Sequence, residues 1–311
     1  MNSHSNNLVI NKLQNVRVEA LKIYCKFALP KSNLIGNNVL VFADMGIGNI
    51  VWYYPFLKSI EALDLTIASN NNEVIELIKF NIPTATVLKY NEIPDIKYDV
   101  VVANFLCQKN LEVYEIIKRK IPCRIGHAFA RRRKYAWLFN LSFDMDLDRH
   151  ETVSNLDLLT PFNVNKNYSF INLPEREIQD SYDIVIQPHS SFAPIKDWQG
   201  YVELYKYLND YKIAFIGSKK ERDFVSTFFP KAINLAGKYD LVGTAHIIKN
   251  SKLTIGNDGG LTKVTDGIGG KAIQIFRWWS DSYVIAKVLN GINLIEPSVE
   301  EVLFSIKKCL K

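Results

Sequence analysis

The chain has 311 residues, of which 48% are hydrophobic and 23% are charged, and its formal net charge is +6. These values predict a globular protein of about two domains and exclude a disordered or fibrous chain. The four cysteines stand singly, which excludes a disulfide framework and a zinc site and favours a reducing, cytoplasmic compartment. No signal peptide and no bilayer-spanning apolar run is visible, so a soluble or peripheral protein is expected.

Short β-like runs alternate with helical patterns through the first half of the chain. A basic helix at about residues 11–29 precedes them. Strands are predicted at residues 39–43, 65–68, 85–88, 99–103 and 123–126, and helices at residues 52–63 and 110–119. Because alternating strands and helices form parallel sheets covered on both faces, this half predicts a Rossmann-like α/β domain.

A second series follows an aperiodic stretch rich in asparagine and charge. Its strands are predicted at residues 183–187, 212–216, 232–234, 252–255 and 271–276, and its helices at residues 200–209, 219–228, 241–249 and 261–267. The chain therefore divides into an N-terminal domain (1–162), a linker (163–182) and a C-terminal domain (183–311). A last helix at about 299–311 belongs to either half. Two facing sheets leave a cleft, which is a common place for ligands.

The loop after the first strand contains Gly46, Gly48 and Asn49 and leads into a helix. The third glycine of a dinucleotide fingerprint would fall at Val51, and no Lys-Ser or Lys-Thr pair follows, so neither a nicotinamide site nor a Walker loop is predicted. The glycines permit a tight turn that places Asn49 at a helix N-terminus, where its side chain can hold an acceptor hydroxyl.

A basic cluster at residues 131–134, beginning at Arg131, runs into Tyr135, Trp137 and Phe139. Such a patch attracts nucleic acid, an anionic membrane or a phosphorylated substrate, and a solvated loop before a core helix has the same pattern. Nucleic-acid binding is not predicted, because no recognisable binding module accompanies the patch.

Three strand ends of the second half carry polar groups. After its first strand, Ser190, Ser191 and Lys196 supply hydroxyls and a cation for a phosphate, unless the loop is merely polar. Glu221 follows a strand-end glycine and either accepts hydrogen bonds from a ribose or favours the helix dipole. The turn Asp258–Gly260 places a carboxylate beside backbone amides, where open α/β sheets bind ligands, although an ordinary βα connection is the alternative.

Together these motifs resemble glycosyltransferase family 9, the heptosyltransferase family, from about residue 38 onward and most strongly over residues 183–276. The matching motifs, in the family's order, are Gly48 and Asn49 with Pro55, Arg124–Gly126, His150 and Glu151 with Asn155–Leu159, Ser190 and Ser191, Lys196 with Trp198, Asn234–Lys238, and Gly256–Gly260. The resemblance implies a GT-B fold, in which two Rossmann-like domains with parallel sheets face a central cleft. The N-terminal domain would bind the acceptor, and the C-terminal domain would bind the nucleotide sugar.

The resemblance also implies roles for individual residues. Contacts to the donor would come from Ser190, Ser191 and Lys196 at the diphosphate, Glu221 at the ribose, Tyr239 near the base, and Asp258, Gly259 and Gly260 at the sugar or diphosphate. Gly48 would belong to the substrate-binding loop, and Arg131 would face the acceptor. The resemblance implies no cofactor and no metal ion.

Two positions depart from the family pattern. Asn49 stands where the family usually has the aspartate presumed to be the general base, and Lys263 stands where it usually has histidine. An amide can orient an acceptor hydroxyl but cannot take its proton at neutral pH. Three alternatives follow: another base serves, with Asp44, His127 and His189 as candidates; Lys196 and Lys263 stabilise the leaving group; or the enzyme has low activity. Lys263 would add positive charge beside the diphosphate and strengthen nucleotide binding.

The expected function is an inverting glycosyltransferase that moves a sugar, a heptose from ADP-heptose in the usual family reaction, to a hydroxyl of a lipopolysaccharide-core or other surface saccharide or glycolipid. Two alternatives stay open: a GT-B sugar-nucleotide epimerase, and a catalytically silent nucleotide-sugar-binding subunit. The expected location is cytoplasmic, with peripheral attachment to the inner face of an anionic membrane. Trp278 and Trp279 either stack on a base or sugar or pack in the core.

Overall fold

The computed structural model describes residues 18–128, 135–145, 148–189, 197–277 and 286–311. Within these residues the chain forms two six-stranded sheets, and all neighbouring strands in both are parallel. The predictions made for Arg131, Ser190, Ser191, Lys196, Trp278 and Trp279 concern residues outside the described ranges.

The first sheet has the strand order β3-β2-β1-β4-β5-β6. The strands are Asn38–Phe42 (β1), Asp64–Ala68 (β2), Thr86–Leu88 (β3), Val100–Ala103 (β4), Cys123–Ala128 (β5) and Leu141–Asp144 (β6). The central strands β1 and β4 are runs of valine, leucine, phenylalanine and alanine that are almost wholly buried. Such unbroken apolar runs are typical of parallel strands covered by helices on both faces.

The first sheet is accompanied by helices at residues 18–28 (α1), Ile47–Ser59 (α2), Asn72–Asn81 (α3), Asn110–Lys118 (α4) and Glu151–Asp157 (α5). Helix α3 begins at Asn71, whose side chain accepts a hydrogen bond from the Glu73 N–H. Helix α2 has no polar face, since its residues from Ile50 to Leu57 are all buried. It therefore lies in the interior of the molecule.

The second sheet has the strand order β12-β11-β10-β7-β8-β9. The strands are Ile184–Gln187 (β7), Ile213–Phe215 (β8), Ile233–Asn234 (β9), Leu253–Asn257 (β10), Ala272–Phe276 (β11) and Gly291–Ile295 (β12). The accompanying helices are Tyr201–Lys206 (α6), Arg222–Phe228 (α7), Leu241–Lys249 (α8), Gly260–Gly267 (α9) and Val299–Leu310 (α10). Helix α10 buries Val299, Val302 and Ile306 in the core of this second sheet.

Every strand predicted from the sequence is present, whereas β6 and β12 were not predicted. Both are edge strands: β6 alternates between half-buried and exposed residues, and β12 begins with an exposed glycine. Helix α3 was also not predicted. Helix α2 begins five residues earlier than expected, because its apolar surface runs all round and leaves no helical periodicity to mark its start.

The irregular residues 164–182 run between the two sheets and contact both halves. The Ile171 N–H donates to the Gly267 carbonyl of α9 at 2.9 Å. The next residue, Asn172, exchanges two hydrogen bonds with the side chain of Asn81 at the end of α3. This segment is thus held by tertiary contacts along part of its length.

Helices α2 and α9 pack against each other and join the two halves. A Cβ on Gly267 would lie 2.5 Å from the Cβ of Val51, and one on Gly48 would lie 2.9 Å from the Cα of Gly260. A side chain at either glycine would force the helices apart, so both are needed for this close approach. The described core is continuous across the contact, since Val51 and Val264 belong to one cluster of buried side chains.

Candidate functional site

The glycine turns that begin α2 and α9 meet at the carboxyl edges of the two sheets. Gly46 caps α2 directly after β1, and Gly259 caps α9 directly after β10. Asn49 lies in the first turn of α2, as predicted. The N-termini of both helices carry backbone N–H groups without intrahelical partners, so the junction favours anionic and hydrogen-bond-accepting groups.

Lys263 links the two halves at this junction. Its Nζ lies 2.8 Å from Asn49 Oδ1, 3.4 Å from Glu151 Oε2 and 4.1 Å from the centroid of the Trp52 ring. A cation in the first turn of α9 is disfavoured by the helix dipole. Here a carboxylate, an amide oxygen and an aromatic face offset that penalty.

Glu151 is the first residue of α5 and is almost completely buried. The preceding His150 caps the helix, with its Nδ1 accepting the Thr152 N–H at 3.1 Å. Burial raises the pKa of the Glu151 carboxyl, and Lys263 opposes that rise. Glu151 Oε1 has no hydrogen-bond partner among the described residues. The site therefore contains a buried carboxylate with one oxygen uncommitted.

A second polar contact between α2 and α9 lies beside the first. Trp52 Nε1 donates to Asp266 Oδ2 at 2.9 Å, while Asp266 Oδ1 accepts the N–H groups of Leu289 and Asn290 at 2.7 Å. Burial raises the pKa of the Asp266 carboxyl, and these hydrogen bonds oppose the rise. Because both oxygens of Asp266 are engaged, we infer that this residue positions Trp52 over Lys263.

Asp258 lies in the turn between β10 and α9, as the sequence predicts. Its N–H donates to the Ile275 carbonyl at 3.0 Å, and its Oδ1 accepts from Gln274 Nε2 at 3.2 Å. The Asp258 charge also contributes to raising the pKa of Glu151. The turn after β10 and the carboxyl group at the start of α5 therefore act on each other electrostatically.

Glu221 lies farther along the edge of the second sheet. Its carboxylate accepts the Ser218 N–H in a capping box and accepts from Gln187 Nε2 at 3.3 Å. Burial raises the pKa of this carboxyl. The geometry is that of a helix cap, which was one of the two interpretations of Glu221, and a ribose contact stays a prediction.

Tyr239 precedes α8 and is half buried. Its hydroxyl lies 3.5 Å from Asp180 Oδ2, and Lys238 Nζ lies 5.2 Å from its ring centroid. A role near the nucleotide base stays a prediction.

The three substitute bases suggested by the sequence are engaged in other contacts. Asp44 accepts the Asn70 N–H at 2.9 Å and pairs with Lys109 at 3.3 Å. His127 is wholly buried between the Phe105 N–H and the Ser154 carbonyl, and burial lowers its pKa to about 4. His189 pairs with Asp197.

Sequence reasoning assigned no role to Glu151 or Trp52. The pair His150 and Glu151 matched the family's order of motifs, which was the available signal for Glu151. Trp52 had only its place in a predicted helix. Within the described ranges, no group of three or more His, Cys, Asp or Glu side chains is arranged to hold a metal ion. Among the helices described, none is long and apolar enough to cross a membrane.

Comparison with known proteins identifies the architecture. Structures similar to this one include the ADP-heptose lipopolysaccharide heptosyltransferase II of E. coli, with 15% identity, a TM-score of 0.68, and 88% of this chain and 98% of that chain covered. A glycosyltransferase family 9 protein from Veillonella parvula has 16% identity and a TM-score of 0.70, and the match covers 90% of this chain and 99% of that chain. The E. coli heptosyltransferase WaaC with ADP has 14% identity and a TM-score of 0.69, and the match covers 87% of this chain and 99% of that chain.

These similarities confirm the predicted GT-B fold, with two facing Rossmann-like sheets. No curated protein matches the sequence significantly. The model of glycosyltransferase family 9 (heptosyltransferase) matches residues 97–284, which is more than half of the chain. The chain therefore belongs to glycosyltransferase family 9, the heptosyltransferase family, and is a glycosyltransferase.

Proposed function

We propose that the protein is an inverting glycosyltransferase that moves a heptose from ADP-heptose to a saccharide hydroxyl. The observation that carries this proposal is the contact of Lys263, beside the Asp258–Gly260 turn, with Asn49 in the loop after β1. A donor held at the second sheet and an acceptor held at the first would meet at this junction. Closure around them would exclude water and limit hydrolysis of the donor.

The two halves of the chain are proposed to bind different substrates. Residues 1–162 would bind the acceptor, residues 183–311 would bind the nucleotide sugar, and residues 163–182 would join them. Ser190, Ser191 and Lys196 are proposed as diphosphate contacts from the family resemblance. The E. coli WaaC structure with ADP supports an adenine nucleotide as the donor class. We propose that no metal ion is required, with cationic side chains stabilising the leaving diphosphate.

The proposed acceptor is a lipopolysaccharide-core or other surface saccharide carried on a lipid, reached by peripheral attachment to an anionic membrane. Helix α1 supports this location, because Phe27 is 82% exposed and Ile23 is 61% exposed beside Lys22 and Lys26. Apolar side chains flanked by lysines are typical of helices that lie in a membrane interface.

Sedimentation with vesicles tests this attachment. Wild-type protein should pellet with phosphatidylglycerol vesicles and not with phosphatidylcholine vesicles, and Phe27→Asp should reduce the pelleted fraction severalfold. Phe304→Asp is the matched control, since Phe304 is 72% exposed on α10. Equal pelleting of both variants with wild type would remove α1 from the proposed contact.

The donor is tested by calorimetric titration with ADP-, GDP-, UDP- and CDP-sugars, with Asp258→Asn and Lys196→Ala as variants. Binding of ADP-heptose that weakens at least tenfold in both variants would support the donor site. Release of ADP in the presence of a heptose-deficient core acceptor would then support transfer.

The silent-subunit alternative is kept because Asn49 carries no carboxylate. It predicts that ADP-heptose binds but that no ADP is released with any acceptor extract, before or after Asn49→Asp. Turnover by the wild-type protein would eliminate it.

A further inference from the structure

The proposed function requires a group that accepts the proton of the acceptor hydroxyl, and Asn49 cannot be that group. Its Oδ1 accepts a hydrogen bond from Lys263, which fixes the amide with its NH₂ donors directed away from the ammonium. Asn49 can therefore orient an oxygen of a substrate but cannot carry a proton from it.

Among the described residues, the other titratable groups near the junction make other contacts. Asp266 uses both oxygens to hold Trp52 and the chain at Leu289 and Asn290. Asp258 accepts from Gln274 on the donor side. His150 Nδ1 accepts the Thr152 N–H, so the neutral ring carries its proton on Nε2 and offers no acceptor there, and burial lowers its pKa to about 4.

Glu151 has a buried acceptor oxygen without a hydrogen-bond donor among the described residues. Its Oε2 faces Lys263, and its Oε1 has no partner within the described parts of the chain although the side chain is only 4% exposed. A buried acceptor without a donor is costly, and such groups are commonly kept where a ligand supplies the donor. A hydroxyl of a bound acceptor is a donor of the required kind.

We propose that Glu151 is the general base of the transfer reaction, in place of the carboxylate that the family usually carries at position 49. The proposal rests on the proposed function and concerns the same site. Lys263 contacts both positions, since its Nζ lies 2.8 Å from Asn49 Oδ1 and 3.4 Å from Glu151 Oε2. With asparagine at position 49, Glu151 is the carboxyl group that contacts this ammonium.

The residues at positions 49 and 263 are consistent with a base at Glu151. Aspartate at position 49 would place two carboxylates around one ammonium, and their repulsion would force one of them to bind a proton. Asparagine at position 49 removes the repulsion. Lysine at position 263 places its Nζ 3.4 Å from Glu151 Oε2 and so supplies a cationic partner to that side chain.

The charges around Glu151 suit a base. Burial and the Asp258 charge raise the pKa of its carboxyl, while Lys263 lowers it and favours the ionised form. The start of α5 also favours a negative charge at its first turn. Asn49 and Trp52, on α2, add no charge. A carboxyl with a raised pKa is a stronger base than an exposed one, and the nearby Lys263 favours its ionised form.

The reaction step is balanced with the groups named. The acceptor oxygen forms a bond to the anomeric carbon as the bond from that carbon to the diphosphate oxygen breaks, and the electron pair leaves with the diphosphate. The hydroxyl proton passes to Glu151 Oε1. Asn49 holds the acceptor oxygen, and Lys263 keeps Glu151 ionised until the proton arrives.

The first test is Glu151→Gln, which keeps size and hydrogen bonding but cannot take a proton. With ADP-heptose and a heptose-deficient core acceptor, kcat should fall by about 10²- to 10⁴-fold. The KM for the donor and its calorimetric Kd should stay within about threefold. The matched control is Glu203→Gln on α6, an exposed residue that should leave kcat unchanged. The acidic limb of the wild-type pH profile should disappear in Glu151→Gln.

The second test restores a carboxylate at the family position. The double variant Asn49→Asp with Glu151→Gln should recover at least tenfold in kcat over Glu151→Gln. Its acidic limb should lie at lower pH than that of the wild type, because residue 49 is more exposed than residue 151. A purely structural role would leave the position of the limb unchanged.

The outcomes separate this inference from the proposed function. A wild-type protein that turns over ADP-heptose, together with a Glu151→Gln variant of equal kcat, would overturn the role of Glu151 and leave the transferase. Loss of donor binding in Glu151→Gln would likewise overturn it, in favour of a structural role. A wild-type protein that binds ADP-heptose and never releases ADP would overturn both.

Discussion

Replacing Lys263 by methionine should destabilise the protein in a manner that depends on pH. The substitution keeps most of the apolar stem and removes the ammonium that contacts Asn49, Glu151 and the Trp52 ring. A hydrogen bond to a charged group is worth about 1.5–3 kcal/mol, and the cation–π contact adds about 1 kcal/mol. Breaking a buried ion pair costs about 3–5 kcal/mol when the remaining charge cannot be neutralised.

Glu151 can be neutralised by a proton, and this sets the direction with pH. Its folded pKa already lies above the value of an exposed carboxyl because of burial, and loss of Lys263 raises it further. A carboxyl whose folded pKa exceeds its unfolded pKa loses stability as the pH rises through that interval. Lys263→Met should therefore lower the free energy of unfolding by about 3 kcal/mol at pH 8 and by about 1–2 kcal/mol at pH 5.

Urea unfolding at the two pH values measures this difference, with Lys249→Met as the control because Lys249 is exposed on α8. Adding Glu151→Gln to Lys263→Met should recover stability at pH 8, since the unpaired charge is then absent. A loss of unfolding free energy that is equal at pH 5 and pH 8, or that Glu151→Gln does not reduce, would refute the assignment of Glu151 as the buried partner of Lys263.

Three further predictions concern the same region. Trp52→Phe should lower the free energy of unfolding by about 1–3 kcal/mol, measured by urea unfolding, because Asp266 Oδ2 loses its donor; no change would contradict the hydrogen bond. Gly267→Ala should cost about 1–3 kcal/mol by overpacking against Val51, and Val51→Ala should recover part of that loss when the two are combined. His127 has a folded pKa of about 4, below its unfolded value of about 6.5, so stability should fall as the pH drops from 6.5 towards 4, and His127→Gln should weaken that fall in urea midpoints.

Most of the fold could be predicted from the sequence, because the central strands are continuous apolar runs. Residues such as Val39–Phe42 and Val100–Ala103 are buried on both faces, and this burial makes their pattern distinctive. Strands β6 and β12 contain only half-buried and exposed residues, so they lack that pattern and were missed. The hydrophobic pattern placed the start of α2 five residues too late, since a helix buried on all sides has no polar face to give its period, whereas the glycine turn correctly placed Asn49 at the N-terminus of this helix.

The site was predictable only where it follows a strand directly. Asp258 follows β10 directly and Asn49 lies in the first turn of the helix after β1, and the rule that ligands bind at the carboxyl edges of parallel sheets places both without a structure. Glu151 lies on a helix that follows the edge strand β6, about a hundred residues from Asn49 and from Lys263. Its contact with α9 depends on how α5 packs, and local sequence holds no signal for that packing.

The polar contacts at the junction join residues of the first half to residues of the second. Lys263 and Asp266 lie on α9, whereas Asn49, Trp52 and Glu151 lie on α2 and α5. Separating the helices would expose Glu151 and Lys263 to water. Both charged groups would be hydrated as their contact is broken. Because hydration compensates much of the lost attraction, these polar contacts oppose opening less than the close packing of Gly48 and Gly267 does. The glycine contacts therefore set how firmly the two halves are held together, and the polar contacts set which charges meet in the cleft when they are.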